Sequence, residues 1–424
     1  MTQTIAWFRR DLRLHDNAAL YHALKENEDV LPVFIFDSNI LDKLNDDHDP
    51  RVTFIHESLS TLKSELEALG SSLKVFHGKP VEIFRKLSPA KIYTNHDYEQ
   101  YAIKRDESVS KIPGIELLSF KDQVIFEKKE VVKDDGAPYT VFTPYSRKWM
   151  AKLNKFYTKS YPVENYFRNL HKTEPLDLPS LGSIGFKKSS IPSPPRVIKQ
   201  EIINRYHQQR DIPGIQGTSR LGVHLRFGTV SIRDLVRLAQ KKNEVWLKEL
   251  VWREFYQMIL SNFPHVEHGS FKPAYDHIQW RNNENEFDAW CKGMTGYPIV
   301  DAGMRELSAT GFMHNRVRMV TASFLTKHLL IDWRWGEAWF ASKLLDFDLA
   351  SNNGGWQWAA GSGCDAAPYF RVFNPATQAE KFDPDNLYIG KWVPEAGSEQ
   401  YPKPIVEHTF ARNRAIEVYR KALA

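Results

Sequence analysis

One change of pattern limits the fold of this chain more than any single motif. Over residues 1–130, short β-rich runs with few charges (Thr4–Phe8, Val30–Phe36, Leu73–His77, Lys91–Tyr93 and Glu116–Phe120) alternate with helical stretches. In the clearest helical stretch, Val52, Ile55, Leu59, Leu62, Leu66 and Leu69 recur at three- and four-residue steps. Strands alternating with helices require right-handed crossovers, which predicts an α/β domain on a doubly wound parallel sheet. No glycine-rich phosphate fingerprint follows the first strand. Arg9-Arg10-Asp11-Leu12-Arg13 stands there instead, so no dinucleotide site is claimed for this domain.

Pro162, Pro175, Pro179, Pro192, Pro194 and Pro195 then punctuate a stretch with Gly182, Gly185 and several serines. Residues 131–196 therefore read as a long interdomain linker on the surface. Beyond it helical periodicity dominates, in Val245–Leu260, Ile299–Leu307, Val317–Leu330 and Glu337–Leu349. The expected architecture is an α/β domain at 1–130, the linker, and an all-α domain at 197–424. A length of 424 residues agrees with more than one domain. Hydrophobic residues at 42% and charged residues at 26% exclude a mostly disordered or collagen-like chain. No apolar run approaches the ~18 residues of a spanning helix. The N-terminus lacks the plan of a secretory signal. The two cysteines, Cys291 and Cys364, build neither a disulfide scaffold nor a cysteine zinc site. A reducing, cytoplasmic compartment is the expectation.

Two features bear on partners. The net charge of +5 tilts the chain toward polyanions. Of 12 tryptophans, all but Trp7 and Trp149 lie between Trp246 and Trp392. That density fits a large core, a stacking surface for flat ligands, or redox use.

Four stretches carry possible chemistry. Thr218-Ser219-Arg220-Leu221-Gly222 precedes a helix, where two hydroxyls, an arginine and open backbone N–H groups form an anion cradle or a plain N-cap. Glu249 and Trp252 are one helical turn apart and can meet one ligand. Asn315, Arg318 and Met319 fall near one helix face, with Arg316 and Arg318 able to pair with phosphate or with acids. The segment from Asp346 to Trp358 reads as a helix with two acids that ends at Asn352-Asn353-Gly354-Gly355 and then presents two tryptophans. No metal site is expected. His265 and His268 are three apart in a loop with only Glu267 nearby.

In this order and spacing, these stretches resemble the photolyase/cryptochrome family, and most closely the bacterial class I cyclobutane pyrimidine dimer photolyases. The resemblance runs nearly end to end. It covers Ala6-Trp7-Phe8-Arg9-Arg10-Asp11-Leu12-Arg13, the TSRL run from Thr218, WREFY from Trp252 and TGYPIVDAGMR from Thr295. It continues in MHNR from Met313, NNGGWQWAA from Asn352 and DAAPYFRVFNP from Asp365.

The resemblance implies a flavin enzyme that uses blue light to split cyclobutane pyrimidine dimers in DNA. It implies FAD, active when reduced, in the helical domain. Tyr206 and Thr218, Ser219, Arg220, Leu221 and Gly222 would hold its phosphate region, with Gly222 in place of the usual serine. Asp346, Phe347 and Asp348 would hold the ribityl and ring side, Arg318 would pair with Asp346, and Asn352 would face the flavin N5. Glu249 would bond the base edges of the dimer, Trp252 and Trp358 would pack on it, and Asn315 and Met319 would line the pocket. Arg210, Arg316 and Gln378 would contact the DNA backbone. Trp356, Trp333 and Trp280 would carry electrons between flavin and surface.

Relatives offer two alternatives. Six-four photolyases carry histidine at the positions of Asn315 and Met319. Cryptochrome photoreceptors often replace the residue at Asn352 and extend the C-terminus. Folate-binding relatives carry Asn-Glu where this chain has Tyr101-Ala102, so the usual folate contacts are absent and the antenna chromophore stays open. A monomer acting on damaged DNA, with no membrane and no obligate protein partner, is expected.

Overall fold

The computed structural model describes residues 3–424. The chain divides into two compact units. One holds residues up to 130 with 150–197 and 221–241; the other holds 131–149, 198–220 and 242–424.

In the first unit, β1 (Thr4–Phe8), β2 (Val30–Asp37), β3 (Lys74–Gly78), β4 (Lys91–Asn95) and β5 (Glu116–Phe120) form a parallel sheet in the order β3-β2-β1-β4-β5. Thr4 of β1 pairs with Val30 on one side and Lys91 on the other. The order reverses on either side of β1, as a doubly wound sheet requires. Every residue of β1 and β2 is buried, because both faces of central strands are covered. The crossover helices are α1 (Ala18–Glu26), α2 (Pro50–Glu67), α3 (Pro80–Leu87) and α4 (Gln100–Ser110). Helix α2 starts ahead of its apolar periodicity because Asp49 caps it, accepting from the Arg51 N–H at 2.8 Å, with Pro50 in the first position.

The stretch expected as a linker is divided between the units. Residues 131–149 count with the helical unit and 150–197 with the sheet. The latter docks through its backbone: the N–H of His171 donates to the Val30 carbonyl at 2.9 Å, and that of Ser189 to Thr53 Oγ1 at 3.0 Å. Residues 221–241 join the first unit for an electrostatic reason. Arg233, on α5 (Ile232–Lys242), pairs with Asp16 at 2.9 Å and Asp122 at 2.7 Å, and Arg13 pairs with Asp122 at 2.7 Å. All four side chains are buried. The arginine-rich run after β1 thus supplies a structural ion cluster.

The second unit is helical: α6 (Glu244–Asn262), α7 (Pro298–Thr310), α8 (Asn315–Ser323), α9 (Trp333–Lys343), α10 (Leu349–Ala360), α11 (Pro375–Phe382) and α12 (His408–Leu423) are its main elements. One core cluster of this unit contains Trp290, Trp333, Trp356, Phe324 and Phe340, with Trp280, Trp339 and Trp358 packed against it. Helix α8 continues as one π-helical turn over Phe324–His328.

One sequence expectation is corrected here. Asp346 and Asp348 do not ride on a helix that breaks at the glycines. Helix α9 ends at Lys343, and Asp348 caps α10 by accepting from the Ser351 N–H at 3.2 Å. The Asn-Asn-Gly-Gly run lies inside α10. A glycine in a helix interior costs about 1 kcal/mol relative to alanine. Packing demands it at 354, where a Cβ would stand 2.2 Å from the ring of Tyr256 on α6.

Candidate active site

A cavity of about 420 Å³ opens within the helical unit, inside the size range of small-molecule sites. Its wall includes Arg210, Glu249, Trp252, Asn315, Arg316, Arg318, Met319, Asp346, Asp348, Asn352, Trp356 and Trp358. Residues more than a hundred positions apart meet there because α6, α8 and α10 converge on it.

The wall has two chemistries. One part is acidic and amide-rich. Arg318 donates to both carboxylate oxygens of Asp346, at 3.0 and 3.1 Å, and its Nε donates to the Met313 carbonyl at 2.7 Å. The guanidinium is therefore locked and holds Asp346 at the cavity edge. Asp348, held by its capping role, and Ser351 follow. The Asn352 amide nitrogen donates to the Glu337 carbonyl at 3.1 Å, which leaves its oxygen as the group available to the cavity.

The other part is aromatic around a single acid. Trp252 stacks on Phe142 with ring centroids 3.6 Å apart and planes at 7°, so its ring is fixed before any ligand arrives. Tyr256 leans on Trp252 at 5.5 Å. Glu249 accepts from Arg210 Nη1 at 2.5 Å. Burial raises the Glu249 carboxyl above its ordinary value, against the opposing charge and hydrogen bond of Arg210. Arg316 pairs with Asp211 at 2.6 Å and lies 4.3 Å over the Phe382 ring.

Trp356 and Trp358 are two positions apart on α10 and diverge. Trp356 is 2% exposed and packs into the core, while Trp358 stays half-buried at the cavity. Trp333 lies in the same core cluster as Trp356, and Trp280 packs at its margin, 6.0 Å from the Tyr419 ring. Phe347 also packs against that core.

The remaining sequence candidates lie off this wall. Tyr206 is buried, with Arg210 5.6 Å above its ring. Thr218, Ser219 and Arg220 belong to the helical unit, and Leu221 and Gly222 to the other, where Leu221 caps a helix starting at Gly222. Arg220 has a positive φ of 52° and sits 4.3 Å over Phe312. Gln378 is on α11, half-buried.

The sequence reading missed Glu337, Tyr256, Phe340 and Ser351. Glu337 is the one with chemistry: burial pushes its carboxyl up to about 7, with Asn352 opposing and the Glu267 charge adding to the rise. A lone acid in the aromatic run Trp333-Arg334-Trp335-Gly336-Glu337-Ala338-Trp339 was the available signal.

Comparison with known proteins places the chain as a whole. Residues 246–400 match the family described as the FAD binding domain of DNA photolyase, and residues 4–164 match the DNA photolyase family. A deoxyribodipyrimidine photo-lyase of Salmonella typhimurium is 38% identical over 100% of this chain and 99% of its own. Among solved structures, a bacterial class III photolyase from Agrobacterium tumefaciens is 33% identical with a TM-score of 0.87, covering 100% of this chain and 98% of its own. An archaeal photolyase from Sulfolobus tokodaii, solved with two FAD molecules, is 35% identical with a TM-score of 0.85, covering 99% of this chain and 100% of its own. With relatives 33–38% identical aligned over nearly the whole chain, the chain belongs to the DNA photolyase family.

Proposed function

We propose that the chain is a light-dependent DNA repair enzyme that splits cyclobutane pyrimidine dimers with FAD as cofactor. One observation carries the reading: a single cavity joins an acid-and-amide wall to an aromatic wall that surrounds one glutamate. Reduced FAD supplies a light-excited electron donor when bound. The residues present fit such a group. Asp346 and Asp348 offer acceptors for hydroxyl and ring N–H groups, Arg318 holds Asp346, and Asn352 offers a carbonyl oxygen to a ring nitrogen. Tyr206 and the run Thr218 to Gly222 would hold the phosphates.

On the lesion side, Trp252 and Trp358 give apolar faces for a dimer taken out of the stack. Such a lesion is the least costly to extrude because it pairs and stacks poorly. Asn315 and Met319 line its pocket. Glu249 bonds the base edges and stabilises negative charge arriving there. Arg210, Arg316 and Gln378 serve the DNA backbone, without reading sequence. Trp356, Trp333 and Trp280 pass electrons inward to prepare the cofactor.

Among the described residues no helix is long and apolar enough to cross a membrane. A monomer acting on DNA in the cytoplasm, without the usual folate contacts and with a deazaflavin, a second flavin or no antenna, completes the reading. The test is repair of a thymine cyclobutane dimer oligonucleotide in light and in darkness, beside a six-four oligonucleotide. Light-dependent repair of the first is expected; repair of only the second overturns the assignment, and repair of neither favours a photoreceptor. Trp333→Phe should slow light-driven cofactor reduction and leave repair by chemically reduced protein intact. Unchanged photoreduction would assign Trp333 to packing.

A further inference from the structure

Three charged side chains of the cavity wall, Arg210, Glu249 and Arg316, are joined into a chain of ion pairs by Asp211. Glu249 on α6 pairs with Arg210 at 2.5 Å, and Arg316 on α8 pairs with Asp211 at 2.6 Å. Arg210 and Asp211 are consecutive residues of the turn after the short helix Tyr206–Gln209. They are also in reach of one another. Asp211 Oδ1, the atom that accepts from Arg316, lies 3.9 Å from Arg210 Nε. The order is thus Glu249, Arg210, Asp211, Arg316, alternating in sign. Each side chain keeps contact with solvent, at 29%, 28%, 42% and 20% exposure respectively.

We propose that Asp211 is a positioning residue that couples DNA-backbone contact at Arg316 to release of Glu249 toward the lesion. The inference rests on the DNA-repair reading above. In the free protein Asp211 holds Arg316 where a phosphate would otherwise sit. Phosphate and carboxylate compete for the same guanidinium donors. The Arg316 guanidinium is kept in place by the Phe382 ring, so exchange of its anion does not require it to move.

A phosphate that takes Arg316 leaves Asp211 unpaired, with Arg210 as its nearest cation. Arg210 then has two acids within reach, and the more exposed Asp211 is the less demanding partner to solvate. Transfer of Arg210 uncovers Glu249. Burial already favours the protonated form of that carboxyl and Arg210 opposes it. Without the guanidinium, the Glu249 carboxyl shifts further toward its protonated form, the form that can donate to base carbonyls. A chain resting on undamaged DNA gains the phosphate contact but offers Glu249 no lesion, so the exchange yields less there.

The experiment measures binding in darkness to two duplexes, one undamaged and one with a single thymine cyclobutane dimer. The wild-type chain is compared with Asp211→Asn, Asp211→Ala, Arg316→Ala and the Asp211→Asn/Arg316→Ala pair. Removing the competing acid should tighten binding to undamaged duplex by about two- to fivefold at low salt, the range of a partly exposed ion pair. It should also lower the dimer-to-undamaged affinity ratio, because Arg210 then has only Glu249 to hold. On the Arg316→Ala background the gain on undamaged duplex should vanish. Equal tightening on both duplexes, with the ratio of the wild type, overturns the relay and leaves only removal of a negative charge. Persistence of the gain without Arg316 overturns it as well. A wild-type chain with no preference for the dimer defeats the functional reading itself, and the relay with it.

Discussion

Two charge networks of similar composition sit in the two units and behave differently because of burial. Arg13, Asp16, Asp122 and Arg233 in the first unit are each no more than 6% exposed. Arg210, Asp211, Glu249 and Arg316 in the second are each at least 20% exposed. Buried ions cannot exchange partners without leaving a charge uncompensated, so the first network ties the segment around α5 to the sheet. Open ions exchange with water and with phosphate at small cost, so the second can respond to a ligand. The same residue types make a clamp in one place and a contact surface in the other.

The largest effect should come from breaking the clamp. Asp122→Ala strands Arg13 and leaves Arg233 with Asp16 alone, and should lower stability by about 3–5 kcal/mol, read by chemical denaturation. A loss below about 1 kcal/mol would show that water reaches the cluster and would erase the contrast. Glu249→Ala should weaken dimer binding by about 1.5–3 kcal/mol and lower repair yield per photon, with FAD content retained. Unaltered yield at saturating dimer DNA would remove Glu249 from the chemistry.

Glu337 lies between these extremes: half-buried, acidic and close to Asn352. Its carboxyl is raised from 4.5 to about 7 in the folded chain, so the folded state holds the proton more tightly than the unfolded one. Its stabilising contribution is complete below pH 4.5 and is lost as pH rises through 7. Glu337→Gln should flatten that part of the stability profile, gaining about 1–2 kcal/mol at pH 8 relative to the wild type. Parallel profiles for the two proteins between pH 5 and 8 would count against a proton held at Glu337. The smallest effect belongs to the open network. Arg316→Ala should reduce the salt dependence of DNA binding by roughly one phosphate contact. A slope equal to the wild type places Arg316 away from the backbone.

Much of this is legible in the sequence. The alternation of strands and helices over 1–130 led to a doubly wound sheet, and the sheet is there. Of the proposed lesion residues, Glu249, Trp252, Asn315, Met319 and Trp358 do share a wall, since helical spacing determines which side chains of one helix can point together. The Asp346–Trp358 segment was misread because two adjacent glycines signal a break on local propensity. Asp348 as a cap and the ring of Tyr256 against Gly354 reversed that preference, and both depend on partners.

The sequence by itself determined the classes of element, the division of character between sheet and helices, and the residues capable of flavin and lesion chemistry. Those properties are written in periodicity, composition and motif order, which are local along the chain. Tertiary structure alone decided that Arg210 meets Glu249, that Asp211 meets Arg316, that Glu337 lies behind Asn352, and that residues 221–241 belong with the sheet. Such facts turn on which charges are brought within a few ångströms and how much water is excluded around them. Pair energies depend steeply on both distance and dielectric, and neither is encoded at any single position.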